Sequence, residues 1–327
     1  MKKRWLWYVM GVLIMIPIGL VIAANTERVG IKPEVEAKAV VLMDLNTGRI
    51  LFSQNGDVPL PPASMSKLMT ELIILDKIKD GTHSWDEMVR ISEYASNVGG
   101  VRLSLNEGEE LTVRELFQSM ALYSANDAAV ALAEHFAGSE GDFVRQMNLK
   151  AKELQLSNQT CFVNASGLEN GDKGSDRKLD LRGETRMTAA DTAKLAAHLI
   201  NSHPDILNTS SKTQMKLKGR DLYLSTTNWM LPSLAGPYSY EGTDGLKTGY
   251  TENAGYCFTG TAEKGGSRLI AVVLGTKSKE ARFVETRKLF DYGFSKTLTL
   301  KERLNDWFHE RVPSAAFSSL NWIDKLF

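Results

Sequence analysis

What most constrains this chain is where its turn-bounded apolar runs fall: strand-like segments stand toward its two ends, with helical segments between them. Residues 39–44 and 49–52 are short apolar runs flanking Asn46-Thr47-Gly48, which is the pattern of a β-hairpin. Residues 256–262 and 268–275 repeat it around Lys264-Gly265-Gly266. In the middle, Thr112 precedes Glu115 by three positions, a capping box ahead of Leu116, Phe117 and Met120. A helix is expected over 127–137 with Gly138 as its stop, and another carries Phe143, Met147, Ala151 and Leu154 on one face. Helical periodicity resumes over 188–200, and a last amphipathic helix is expected near 280–292. The expected fold is therefore α+β, an antiparallel sheet flanked by helices together with a mainly helical subdomain.

The apolar fraction of 43% supports a sizeable core, and 39 basic residues balance 39 acidic ones. That balance lacks the basic footprint of nucleic-acid binding, so no nucleic-acid partner is expected. Lys2, Lys3 and Arg4 precede an uncharged run from Trp5 to Ala24, with small residues at its end. Residues 1–24 are read as a signal peptide or an uncleaved membrane anchor, and both readings place the rest outside the cytoplasm. Residues 25–38 read as a polar lead-in, 39–296 as the main domain and 297–327 as a short tail. Cys161 and Cys257 are too few for a disulfide framework and are expected to be buried small hydrophobes. The five histidines, His83, His135, His198, His203 and His309, are scattered and read as surface or helix residues, so no metal and no organic cofactor is expected.

Three short motifs carry chemistry. Pro59, Pro61 and Pro62 end regular structure just before Ser64-Met65-Ser66-Lys67, after which Leu68, Leu72 and Leu75 mark a helix closing near Gly81. Residues three apart on a helix share a face, so Lys67 lies within reach of the Ser64 hydroxyl. Lysine serves as a base only when burial or a neighbouring cation lowers its pKa. Taken alone, this spacing fits an exposed helix turn better. Ser124-Ala125-Asn126 falls at a break between two expected helices, where Ser124 can relay a proton and Asn126 can hold a substrate carbonyl or the base lysine; helix capping is the plainer use of the same residues. Lys247-Thr248-Gly249 precedes the second hairpin as a candidate edge strand. Lys247 and Thr248 suit a substrate carboxylate, and Gly249 leaves room for substrate against the strand. The backbone N–H groups of Ser64 and Tyr250 are a candidate oxyanion hole.

The order Ser-x-x-Lys, Ser-x-Asn, Lys-Thr-Gly belongs to β-lactamases and penicillin-binding proteins. The stretches 62–70, 123–128 and 245–257 and the loop Asn164-Ala165-Ser166-Gly167-Leu168 resemble the D-alanyl-D-alanine carboxypeptidases, the low-molecular-mass penicillin-binding proteins of serine peptidase family S11. The resemblance runs from about residue 36 to 296. It implies a serine D-Ala-D-Ala carboxypeptidase acting on peptidoglycan stem peptides, acylated at Ser64 and inhibited by β-lactams. Its implied catalytic residues are Ser64, Lys67 and Ser124, with Asn126, Lys247, Thr248 and Gly249 binding substrate. Endopeptidase or transpeptidase activity is an alternative, and a peptidoglycan or β-lactam sensor is a non-enzymatic one. A class A-like β-lactamase fits less well, because no Glu-x-x-Leu-Asn pattern lies between the second and third motifs. Two departures stand out. The β-rich second domain common in the family is missing or reduced to a tail whose Phe317, Leu320, Ile323 and Phe327 suit either a membrane contact or packing, and the polar, glycine-rich stretch 166–186 reads as an exposed excursion.

Overall fold

A computed structural model of the chain describes residues 32–169, 183–217, 220 and 222–298. The segment 1–24, most of the stretch 166–186 and the tail from 299 lie outside them. The chain divides into two compact units, Val35–Phe290 and a second comprising Met1–Glu34 with Asp291–Phe327. No helix among the described residues is long and apolar enough to cross a membrane.

The larger unit is built on a five-stranded antiparallel sheet. Its strands are β1 (Ala39–Asp44), β2 (Ile50–Gln54), β7 (Thr243–Thr251), β8 (Gly255–Lys264) and β9 (Ser267–Thr276), in the order β2-β1-β9-β8-β7. Both expected hairpins are present. Asp44 closes the first by accepting from the N–H groups of Asn46 (2.9 Å) and Thr47 (3.2 Å), and Gly265 and Gly266 close the second with positive φ. Two short two-stranded antiparallel sheets lie outside this sheet: β3 (Met88–Arg90) with β4 (Glu110–Thr112), and β5 (Gln214–Leu217) with β6 (Leu222–Ser225).

Helices fill the interval between the hairpins: α1 (Lys67–Lys79), α2 (Glu93–Ser96), α3 (Val113–Tyr123), α4 (Asn126–Ala137), α5 (Glu140–Glu153), α6 (Ala189–Ser202) and α7 (Ile206–Ser210), and α8 (Ala281–Thr297) is the last element among the described residues. The capping box at Thr112 and Glu115 starts α3, and Gly138, at φ 82°, ends α4. Every residue of β1 is buried, because helices cover both faces of the sheet. Helix α6 packs on β1 and β9, whereas Phe283 of α8 meets Phe258 of β8 edge-on at 5.2 Å.

The end of the lead-in belongs to the larger unit: Val35 is buried, and the Lys38 N–H donates to Leu274 O (2.9 Å), extending the pairing of β1 with β9. Two expectations need correction. Cys257 is buried as expected, but Cys161 is exposed, and both are free thiols. The ends of the stretch 166–186 are core rather than excursion, since Ser166, Gly167 and Thr185 are buried and Arg186 pairs with Cys161 across a β-bridge.

Candidate active site

Proline at 61 and 62 removes two backbone donors, so the chain enters α1 through a tight 3₁₀ turn, Ala63–Ser66. Ala63 takes a positive φ of 50°, a left-handed conformation that costs a non-glycine residue roughly 1–3 kcal/mol. Two glycines from distant segments hold that turn in place. A Cβ on Gly167 would lie 2.1 Å from Ala63 O, and one on Gly249 would lie 2.8 Å from Pro62 O and 3.2 Å from Ser64 N. The bare face of Gly249, expected to leave room for substrate, admits the backbone that carries Ser64. Ser64 itself is left half-buried at the mouth of the site.

Lys67 is fully buried, and its Nζ lies 2.9 Å from Ser64 Oγ, 2.7 Å from Asn126 Oδ1 and 2.6 Å from Ser166 O. Two of these neighbours are carbonyl oxygens, which only accept. A neutral amine has two N–H bonds and one lone pair. In the neutral form of Lys67 the carbonyls of Asn126 and Ser166 can take up both N–H bonds, which leaves the lone pair for the Ser64 hydroxyl; the ammonium form donates to all three. Burial, and then the positive charge of Lys247, lower the Lys67 pKa well below the ordinary lysine value, against the opposing pull of Glu71 and Asp127.

The other groups around Lys67 are fixed in turn. Asn126 Nδ2 donates to Gly99 O (2.9 Å), which sets the amide so that its oxygen faces the lysine. Asp127, fully buried in the first turn of α4, accepts from the N–H groups of Leu103 (2.9 Å) and Leu105 (3.3 Å) and so ties the 97–105 segment to the helix start. Ser124 ends α3 at φ 73° and is buried two positions before Asn126. Among the described residues, its hydroxyl is not one of the three groups bonded to Lys67 Nζ. The 164–168 loop aims the Ser166 carbonyl: Asn164 Oδ1 accepts from the Gly167 N–H (2.6 Å), Asn164 Nδ2 donates to Leu168 O (2.9 Å), and Thr70 of α1 donates to Ala165 O (2.8 Å).

The third motif lies on β7, which forms one edge of the main sheet. Lys247 is buried, and desolvation lowers its pKa below the ordinary lysine value, while Glu71 opposes that shift and Arg282 adds to it. Thr248 Oγ1 donates to Thr227 Oγ1 at 2.6 Å. Arg282 of α8, itself buried, donates to Gly249 O at 3.3 Å. In a trans peptide the carbonyl and the next N–H point opposite ways, so this contact orients the Tyr250 N–H expected in the oxyanion hole. Glu71, one helical turn after Lys67, is a buried carboxyl whose pKa is raised by desolvation in spite of both lysines.

The structure thus gathers Ser64, Lys67, Asn126 and Gly249 into one site, with Ser124, Lys247, Thr248 and Tyr250 on the segments that frame it. Sequence reasoning missed the Ser166 carbonyl, Glu71 and Arg282. Only the first had a signal, in the 164–168 stretch. One histidine differs from expectation: His203 is buried and bonded to Asp76 Oδ1 (2.7 Å). His83 and His135 are partly exposed, as expected, and both lie against Glu87.

The profile of the D-alanyl-D-alanine carboxypeptidase family, peptidase S11, matches residues 25–278. The chain belongs to that family. It is 38% identical over 263 residues to the D-alanyl-D-alanine carboxypeptidase DacF of Bacillus subtilis, a match covering 80% of this chain and 62% of that one. The chain therefore spans about three fifths of the length of that curated relative. Penicillin-binding protein D2 of Listeria monocytogenes, solved in its ampicillin-bound form, superposes with a TM-score of 0.70 at 37% identity, covering 81% of this chain and 99% of that one. A mutant of a Streptomyces DD-transpeptidase superposes with a TM-score of 0.69 at 26% identity, covering 81% and 100%.

Proposed function

We propose that this protein is a serine D,D-carboxypeptidase that removes the terminal D-alanine from peptidoglycan stem peptides outside the cytoplasm. The observation that carries the reading is the Lys67 amine, fully buried and held by two carbonyl oxygens with Ser64 Oγ at 2.9 Å. The basic and then apolar start of the chain, and the cell-wall role of the family, support the location.

In this mechanism Ser64 Oγ attacks the carbonyl between the two D-alanines and passes its proton to Lys67 Nζ. The tetrahedral oxyanion lies against the N–H groups of Ser64 and Tyr250. When the C–N bond breaks, the proton moves from Lys67 to the leaving amine, with the Ser124 hydroxyl as relay, and D-alanine departs. Water then attacks the ester, with Lys67 again as base, and restores Ser64. Lys247, with Thr248 beside it, draws the substrate's terminal carboxylate to the β7 edge. A β-lactam acylates the same serine by presenting a similar carbonyl and carboxylate.

Incubation with a D-Ala-D-Ala-terminated peptide should release free D-alanine. If none appears while fluorescent penicillin still labels Ser64, the protein is a sensor and not a carboxypeptidase. If added amine acceptors divert most of the acyl group into new peptide bonds, transpeptidation is the main activity.

The charge pattern predicts a bell-shaped pH profile for kcat/KM. The acidic limb is the deprotonation of Lys67, since only the neutral amine accepts a proton, and it lies below the ordinary lysine range. The alkaline limb is the loss of charge on Lys247, again below that range because the group is buried. The Glu71 carboxylate raises the pKa of both lysines, so Glu71→Gln should move both limbs to lower pH. A profile that does not move in this variant would remove Glu71 from the electrostatics of the site.

A further inference from the structure

We propose that His83, Glu87 and His135 form a binding site for a divalent transition-metal ion of the zinc type. His83 Nδ1 lies 2.9 Å and His135 Nε2 lies 2.8 Å from the same oxygen, Oε2 of Glu87. The three candidate ligand atoms all lie within 4.8 Å of one another. Ligand atoms around a tetrahedral zinc with bonds near 2.0–2.1 Å stand roughly 3.4 Å apart, so the cluster needs only a small adjustment to receive an ion. Glu87 can make it, because its side chain is one-third exposed.

The surroundings suit a ligand set. The second carboxylate oxygen, Glu87 Oε1, accepts from the Ser84 N–H at 2.6 Å, which orients the group as outer partners do at metal centres. The Phe136 ring packs against His83 at 4.3 Å and against His135 at 5.5 Å, limiting how far either imidazole can swing. Two imidazoles and one carboxylate favour zinc, cobalt, nickel or copper over magnesium and calcium, which prefer all-oxygen sites. Both histidines are only partly buried, so a water has access to complete the coordination.

The position gives such an ion a role. His83 follows the end of α1, where its N–H donates to Lys77 O, and His135 stands in the last turn of α4. Lys67 and Asn126 begin these same two helices. Nine residues of helix, about 14 Å, separate Asn126 from His135, so the ion would tie the two helices together at the ends remote from Ser64. It would act as a clamp and would not touch substrate.

The test is titration of the untagged, full-length protein with Zn2+ in competition with a chromophoric chelator, alongside thermal melts. We expect one ion per chain, a rise in Tm, and affinity at least about tenfold weaker in His135→Ala and in Glu87→Gln, with Ca2+ failing to compete. Labelling of each variant by fluorescent penicillin checks that it is folded. Should a variant fail that check, His83→Gln, which replaces only the imidazole on the exposed loop, supplies the comparison. The proposal is overturned if wild-type protein binds no Zn2+ at micromolar concentration, if affinity is unchanged in folded variants, or if Ca2+ displaces the ion.

Discussion

Lys67→Ala is expected to slow acylation of Ser64 toward the upper end of the 10²–10⁴-fold range typical of losing a general base. The size of the effect follows from the geometry. No other described basic nitrogen is bonded to Ser64 Oγ, and Lys67 Nζ reaches it at 2.9 Å. The variant also leaves Asn126 Oδ1 and the Ser166 carbonyl without the donor they share. A loss of about 1–3 kcal/mol in stability should accompany the catalytic loss. Two measurements separate these effects: the rate of fluorescent-penicillin labelling, and a melt with near-UV circular dichroism. Labelling within threefold of wild type in a folded Lys67→Ala protein would transfer the base role to another group. Lys67→Arg should be nearly as inactive, because a guanidinium keeps its charge at every working pH.

Gly167→Ala is expected to have the largest effect on the fold of any single methyl group added near the site. Its Cβ would stand 2.1 Å from Ala63 O and 2.4 Å from Ser66 Oγ, and its φ of +78° is unfavourable for alanine. The Ala63 carbonyl is backbone and cannot yield cheaply, because its turn is braced from the other side by Gly249. Overpacking and backbone strain together cost roughly 2–5 kcal/mol. Where the protein still folds, the Ser166 carbonyl shifts off Lys67 and acylation falls more than tenfold. Gly266→Ala is the control: its φ of +73° carries similar strain, but nothing lies within 4 Å of the added methyl. Equal destabilisation of the two variants would mean that backbone strain, and not the close approach to Ala63, sets the requirement for glycine.

Much of this site could be read from the sequence, because its side-chain chemistry is tied to residue identity. Serine three before lysine at a helix start, a serine and an asparagine at a helix break and a lysine on an edge strand are all visible as letters in order. The Ser166 contribution comes from a backbone carbonyl, which any residue could supply, and only the resemblance of 164–168 to a family loop hinted at it. Glu71 and Arg282 look like ordinary helical charges. They become part of the site because the fold buries them beside Lys67 and Gly249, and burial of a charge is a tertiary fact. His83 and Glu87 stand four apart, a spacing legible in principle, but His135 joins them only through the packing of α4. The main sheet was recognised by its hairpins. The hairpin of β5 and β6 escaped because its two strands are four residues each and alternate only weakly.

The pairing of β1 with β9 also bears on how the protein comes into being. Met43 and Ile270, direct neighbours in the sheet, are roughly 230 residues apart along the chain. At synthesis rates of about 5–20 residues per second, β1 waits on the order of ten seconds or more for its partner. Through that interval an apolar strand destined for complete burial has only β2 beside it, and β7, which braces the Ser64 turn, has yet to be made. The nascent chain therefore carries its nucleophile long before it has an active site, and during that wait it depends on being kept from pairing with other exposed strands.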